Sequence, residues 1–235
     1  MVFPVLSSSH FPVRLRIALA ALIAVIVAPS IPGIHLDDWG LSELVLLLFK
    51  EISVGLVIGF VSRLVFHALE FFAGILGVEV GLNTAAIFNP MTDARSEVFG
   101  MVVFNLGAML LFTLDLHHWM LASFQRTYAA VPIGAAAATM PLYYGFTARV
   151  ADVFQAGLLM AAPVLAVTFL ISVTFALISR AVPTMNVFAE SFSFRVLGGL
   201  LVFAMTLHLT SQHICNYLRR LPEDVLRLAR MMNPT

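Results

Sequence analysis

The sequence predicts an all-α protein of the integral-membrane type, built from helical hairpins and long broken helices that pack into a multi-subunit assembly. Three observations carry this. Of 235 residues, 60% are hydrophobic and only 11% charged, with a mean hydropathy of +0.97, whereas soluble domains carry about 25% charged residues. The apolar surface is therefore too large for one water-facing fold, and an integral membrane protein follows. Charges nevertheless interrupt the apolar runs, and small residues recur within them at helix-packing spacing.

Charge and cysteine content remove several function classes. Thirteen basic and 13 acidic residues cancel, so nucleic-acid binding has no electrostatic footprint. Lys50 is the sole lysine, and a lone Cys215 excludes an internal disulfide and a thiolate metal cluster. The start resembles a signal peptide, but Ala28-Pro29-Ser30 is a poor cleavage site, so the segment reads as retained.

In chain order, residues 15–34 form a short helix in which Ala20, Ala24 and Ala28 share one face, suited to close packing. His35–Gly40 is a polar turn with Asp37 or Asp38 as a cap. Residues 39–82 contain no proline. As one rod they would reach about 66 Å, roughly twice a bilayer's apolar core. Lys50, Glu51, Arg63, Glu70 and Glu79 are scattered through them, and such groups must face protein or water. A break near Ser62-Arg63, giving a broken helix pair, is expected. As sequence neighbours, Lys50 and Glu51 point to different faces, and each is expected to find a partner elsewhere. His67 and Glu70 share a face and should pair. Gly55 with Gly59 and Gly77 with Gly81 make two G-x-x-x-G patterns, the signature of tight helix–helix packing.

Residues 83–97 are the clearest polar interruption. Asn83, Asn89, Pro90, Asp93, Arg95 and Glu97 mark a loop, yet Ile87, Phe88 and Met91 within it are apolar. Two readings stand: a connector whose apolar residues tuck under a neighbouring helix, or a loop that projects them into a passage.

Residues 98–128 and 150–179 are helical, joined by an Ala/Gly/Pro connector, with Pro163 expected to kink the second. Residues 184–193 form a second loop bearing Met185, Asn186 and Phe188. Residues 194–214 are a further span. Residues 217–232 alternate arginine with Leu, Val and Met as an amphipathic tail suited to an anionic leaflet.

No phosphate-binding loop, nucleotide fingerprint or nucleophile elbow is present, and no enzyme is expected. Neighbouring histidines on a helix diverge, so His117-His118 are expected to cap the interface beside Trp119 and hold no metal. Glu70 and Glu79 lie about 180° apart on an ideal helix, which rules out a carboxylate dyad. Each reads either as an intramembrane proton carrier or as a structural polar contact. His208 and His213 are too far apart in turn angle to cooperate.

Several stretches, in order, resemble the FliR family of the type III protein export apparatus: FPVRLRIALAALIAVIVAPSIP, KEISVGLVIGF, GVEVGLNTAAIFNP, the HHW and VPIG stretches, and RAVPTMNVFAESF. The GLxxAxxxxP and P-x-MNVF runs are the most diagnostic. The resemblance implies a single export-gate domain over residues 1–235 in the bacterial inner membrane at the flagellar basal body. It implies FliP-like and FliQ-like neighbours, adjacent FlhB-like and FlhA-like components, unfolded protein substrates, and no cofactor. It also implies hairpins raised largely out of the bilayer, so that Lys50, Glu51, Arg63, Glu70 and Glu79 meet sibling subunits.

On this resemblance residues 83–97 are a plug-type loop in which Ile87, Phe88 and Met91 occlude a pore, with Asn83, Asn89 and Pro90 shaping it. The family carries a further apolar segment ahead of the position matching Phe3-Pro4, where this sequence starts. After MNVF it usually shows Gly or Met before Pro-Leu, where this chain has Ala189–Arg195. HHW and VPIG lean flagellar, and an injectisome gate subunit is the alternative. A small-solute or ion transporter using Arg63, Glu70 and Glu79, and a purely structural scaffold, are the competing classes.

Overall fold

A computed structural model describes residues 12–31, 40–82, 98–184 and 186–233. These fold as six α-helices: α1 (Val13–Val27), α2 (Leu41–Glu79), α3 (Val98–Thr113), α4 (Leu116–Ala130), α5 (Met140–Ala181) and α6 (Val187–Met231). No strand occurs among the described residues. Leu41–Glu79, Met140–Ala181 and Ala189–Met231 are long and apolar enough to cross a membrane, and a fourth span results if α3 and α4 act as one broken span.

Several boundaries differ from those expected. The helix of α2 continues through Ser62 and Arg63, because neither residue breaks it. Ser62 Oγ donates back to the Ile58 carbonyl at 2.9 Å, within its own helix, and Arg63 is exposed. With 39 residues the helix is about 59 Å long at 1.5 Å per residue. The 98–128 segment instead breaks at Leu114-Asp115, where Asp115 adopts φ 53. α5 and α6 each run through an internal proline, Pro163 and Pro222. The second loop is shorter than residues 184–193, because Asn186 caps α6. Its Oδ1 accepts from the Ala189 amide at 3.4 Å, the bond that makes Asn a favoured N-cap.

The chain divides into two compact units. The first draws on the described residues up to Val65, on Leu111–Asp152 and on the chain from Asn216. Its core gathers Val131, Ala229 and Met232 with Val54, Val57, Ala130, Ala135, Ala136 and Leu142 around them. The C-terminal part of α6 buries Leu218, Leu221, Val225 and Leu228, one stripe at helical spacing, while Arg219, Arg220, Arg227 and Arg230 are exposed. This apolar stripe is buried in protein, with Leu228 beside Gly145 and the neighbouring Ala229 and Met232 against Val131. Arg149 fixes it further, with Asp224 at 2.8 Å and Asp152 at 3.2 Å.

The Ala/Gly/Pro connector is not slack. The Ala137 amide donates to the Met232 carbonyl at 2.9 Å, Thr139 Oγ1 donates to the Met231 carbonyl, and Asn233 Nδ2 reaches the Ala130 carbonyl at 3.3 Å. On its other side, Lys50 Nζ donates to the Gly134 carbonyl at 3.0 Å and the Gly134 amide donates to Glu51 Oε1 at 2.9 Å. Consecutive helix positions point about 100° apart, yet two long side chains converge on the donor and acceptor of one residue. Gly134 adopts φ +78, a region that glycine enters without strain.

The second unit comprises the described residues of Phe66–Leu110 and all but Met185 of Val153–Cys215. Phe66, Leu69, Phe72, Leu76, Val80, Phe99, Val103, Met160 and Val164 are buried. Aromatic contacts tie the helices together: Phe66 with Phe104 at 5.3 Å, Phe71 with Phe154 at 5.2 Å, and Phe99 edge-on to Phe203 at 5.2 Å. Centroid separations in this range are the favourable ones for such pairs.

Candidate functional site

The residues expected to form a plug-type loop, 83–97 with Asn83, Ile87, Phe88, Asn89, Pro90 and Met91, lie outside the described residues, as does Met185. What the second unit does define is the frame from which that loop departs and to which it returns.

The departing end is held in four ways. The Val80 amide donates to the Leu76 carbonyl at 2.9 Å and the Gly81 amide to the Val78 carbonyl at 3.1 Å. Gly81 then adopts φ 86, the left-handed conformation with which glycine ends a helix. Gly81 is therefore explained by chain reversal, beyond any role in a G-x-x-x-G pattern. Val80 is fully buried against Gly199, where an added Cβ would stand 2.6 Å from Val80 Cγ2. Finally, Thr168 Oγ1 donates to Glu79 Oε2 at 3.0 Å, so the carboxylate at the end of α2 is met by a buried hydroxyl. At the returning end, Phe99 is buried against Phe203.

Beside this frame lies a cleft of about 590 Å³ lined by Glu79, Leu165, Ala166, Phe169, Ser172 and Arg195. It places one carboxylate and one guanidinium in an apolar wall. Arg195 Nε is buried with no hydrogen-bond partner among the described residues. That combination suits packing and charge balance, and the Ser172 hydroxyl donates to the Thr168 carbonyl at 2.7 Å.

The other sequence-predicted residues distribute as follows. Lys50 and Glu51 both engage Gly134, in the first unit. His67 Nδ1 and Glu70 Oε2 stand 3.0 Å apart as an i, i+3 pair. Arg63 is exposed and makes no ion pair with another described residue. Gly59 and Gly77 are buried, whereas Gly55 has open space where a Cβ would stand. Asn186 is the cap of α6, and Phe188 falls in its first turn. Thr168 and Thr139 were not singled out by sequence reasoning, since a lone Thr in an apolar run carries no local signal, and Gly134 entered only as the last residue of the VPIG stretch.

These features define a class: a membrane-type helical protein whose long apolar helices carry charges that are in part partnered within the chain. The chain belongs to the family described as bacterial export proteins, family 1, which it matches over residues 1–221. It is 24% identical to flagellar biosynthetic protein FliR of Escherichia coli K12 over 95% of this chain and 86% of that one. It is 29% identical to the FliR protein of Caulobacter vibrioides, covering 88% and 83%. It is also 29% identical to Yop proteins translocation protein T of Yersinia pestis, covering 80% and 73%.

Proposed function

We propose that this chain is a membrane subunit of the flagellar type III protein export gate. It forms part of the pore through which unfolded export substrates pass, without chemistry of its own. The observation that carries this reading is the family match over residues 1–221 together with FliR relatives aligned over most of their length. The framed loop supports it mechanically. Gly81, Val80 and Glu79 on one side of residues 83–97 and Phe99 on the other are held by the protein, which suits a segment that works as a gate. Ile87, Phe88 and Met91 are the occluding side chains on this reading, because apolar groups exclude water and Met repacks around varied chains.

The assembly partners are FliP-like and FliQ-like subunits, with FlhB-like and FlhA-like components adjacent, in the inner membrane at the basal body. Among the charged residues expected between subunits, the exposure of Arg63 and Glu70 supports their assignment to contacts with a neighbour. Lys50, Glu51 and Glu79 already have partners within the chain.

The test is to delete the gene and complement it. Loss of swimming and of secreted hook and filament protein, restored by the wild-type chain, is the expected outcome, along with copurification of FliP-like and FliQ-like subunits. Replacing Ile87, Phe88 and Met91 together with Gly should let ions leak through the assembled complex, and unchanged conductance would remove the plug assignment. The Yersinia match favours a second reading, an injectisome gate subunit. Intact motility with loss of effector secretion in the deletion strain would select it.

A further inference from the structure

The turn between α3 and α4 carries a cluster that the export reading does not use. Asp115 occupies the turn with φ 53, and this left-handed step turns its carboxylate back towards the start of α4. The two histidines do not diverge as helical neighbours are expected to. Their ring centroids stand 4.0 Å apart with an interplanar angle of 39°. His118 Nδ1 lies 3.7 Å from Asp115 Oδ1, and one ligand atom from each of Asp115, His117 and His118 falls within 4.8 Å of the others. His117 Nδ1 is buried with no hydrogen-bond partner among the described residues, and a buried polar nitrogen ordinarily has one.

In a tetrahedral zinc site with bonds of about 2.0–2.2 Å, ligand atoms stand roughly 3.3–3.5 Å apart. The His118–Asp115 separation is already close to this, and side-chain rotation closes the rest. We propose that Asp115, His117 and His118 form a binding site for a borderline divalent transition ion, with zinc the best match to two imidazoles and one carboxylate. Calcium and magnesium are poor candidates because they take oxygen ligands. Three protein ligands leave a fourth position for water. The bound ion joins the turn residue to the first turn of α4 and so stiffens the start of that helix.

The experiment uses the full chain, purified in detergent with a tag free of histidine. Zinc chloride is titrated by calorimetry, and cobalt(II) is followed by its visible absorption. One ion per chain is expected. His118→Ala and Asp115→Asn are the informative variants. Both side chains are mostly exposed, at 70% and 74%, so the fold does not depend on them, and Asn tolerates a left-handed φ. Each should weaken zinc at least about tenfold, a range seen even for second-shell losses, and abolish the cobalt band. His208→Ala, whose ring pairs with Gln212 at 3.0 Å, should leave both unchanged. No binding by the wild-type chain, or binding that survives both His118→Ala and Asp115→Asn, would overturn the site.

Discussion

Lys50 and Gly134 lie 84 positions apart in sequence, and the lysine Nζ donates to the glycine carbonyl at 3.0 Å. Glu51 takes the amide of the same glycine. The donor and acceptor of one turn residue are thus both held from α2, and the sharp turn in the connector follows from that grip. Gly134→Val should be the most damaging change in this turn. Its Cβ would sit 2.9 Å from Leu47 Cδ1 at φ +78, and left-handed strain in a non-glycine residue costs about 1–3 kcal/mol. A fall of several degrees in the apparent Tm is expected. Gly100→Ala, with nothing within 4 Å, should show no fall, and equal effects at both sites would remove the argument.

The Arg149–Asp224 pair should behave as a coupled unit. Arg149→Met leaves the Asp224 carboxylate, whose side chain is 19% exposed, without its guanidinium, whereas Asp224→Asn leaves Arg149 still paired with Asp152. Arg149→Met should therefore lower stability by more than Asp224→Asn does, and adding Asp224→Asn to Arg149→Met should recover part of the loss. Additive losses in a double-mutant cycle would mean that the two charges do not interact.

The end of α2 offers a compensation experiment. Gly199→Ala places a methyl 2.6 Å from Val80 Cγ2, and overpacking of this kind costs about 1–3 kcal/mol. Export and thermal stability should both fall, and Val80→Ala in the same chain should restore them in part. Failure of rescue would show that Gly199 is needed for a reason other than contact with Val80.

The C-terminal stripe separates packing from leaflet binding. Leu221→Ala should destabilise by about 2–5 kcal/mol, as for other buried leucines. Arg219→Ala and Arg230→Ala, on the exposed face, should change stability by less than about 0.5 kcal/mol. A stripe resting on lipid would instead make Leu221→Ala nearly neutral for stability and costly for membrane affinity.

Much of this was legible in the chain, because the signals were local. The all-helical class follows from apolar runs too long for strands, and the His67–Glu70 pair from i, i+3 spacing. The arginine face of the tail could be read from periodicity alone. What covers the opposite face could not, since Ala229 and Met232 look the same whether they meet lipid or Val131. The continuity of α2 was misread because scattered charges suggested a break, while Ser62 satisfies its hydroxyl on its own helix. Lys50 and Glu51 were expected to part company, and their convergence on Gly134 depends on a contact more than 80 residues away. Thr168 was invisible for the same reason: a threonine becomes part of a site only when folding brings Glu79 beside it.

Because Lys50 is the only lysine in the chain, its ammonium is the sole side-chain amine that an acylating reagent can modify. That amine is tied to a backbone carbonyl, so its rate of labelling reports how often the 134 turn lets go. One modification, read by mass spectrometry on a chain that needs no engineered probe, would follow the opening of that grip as the surrounding assembly is built.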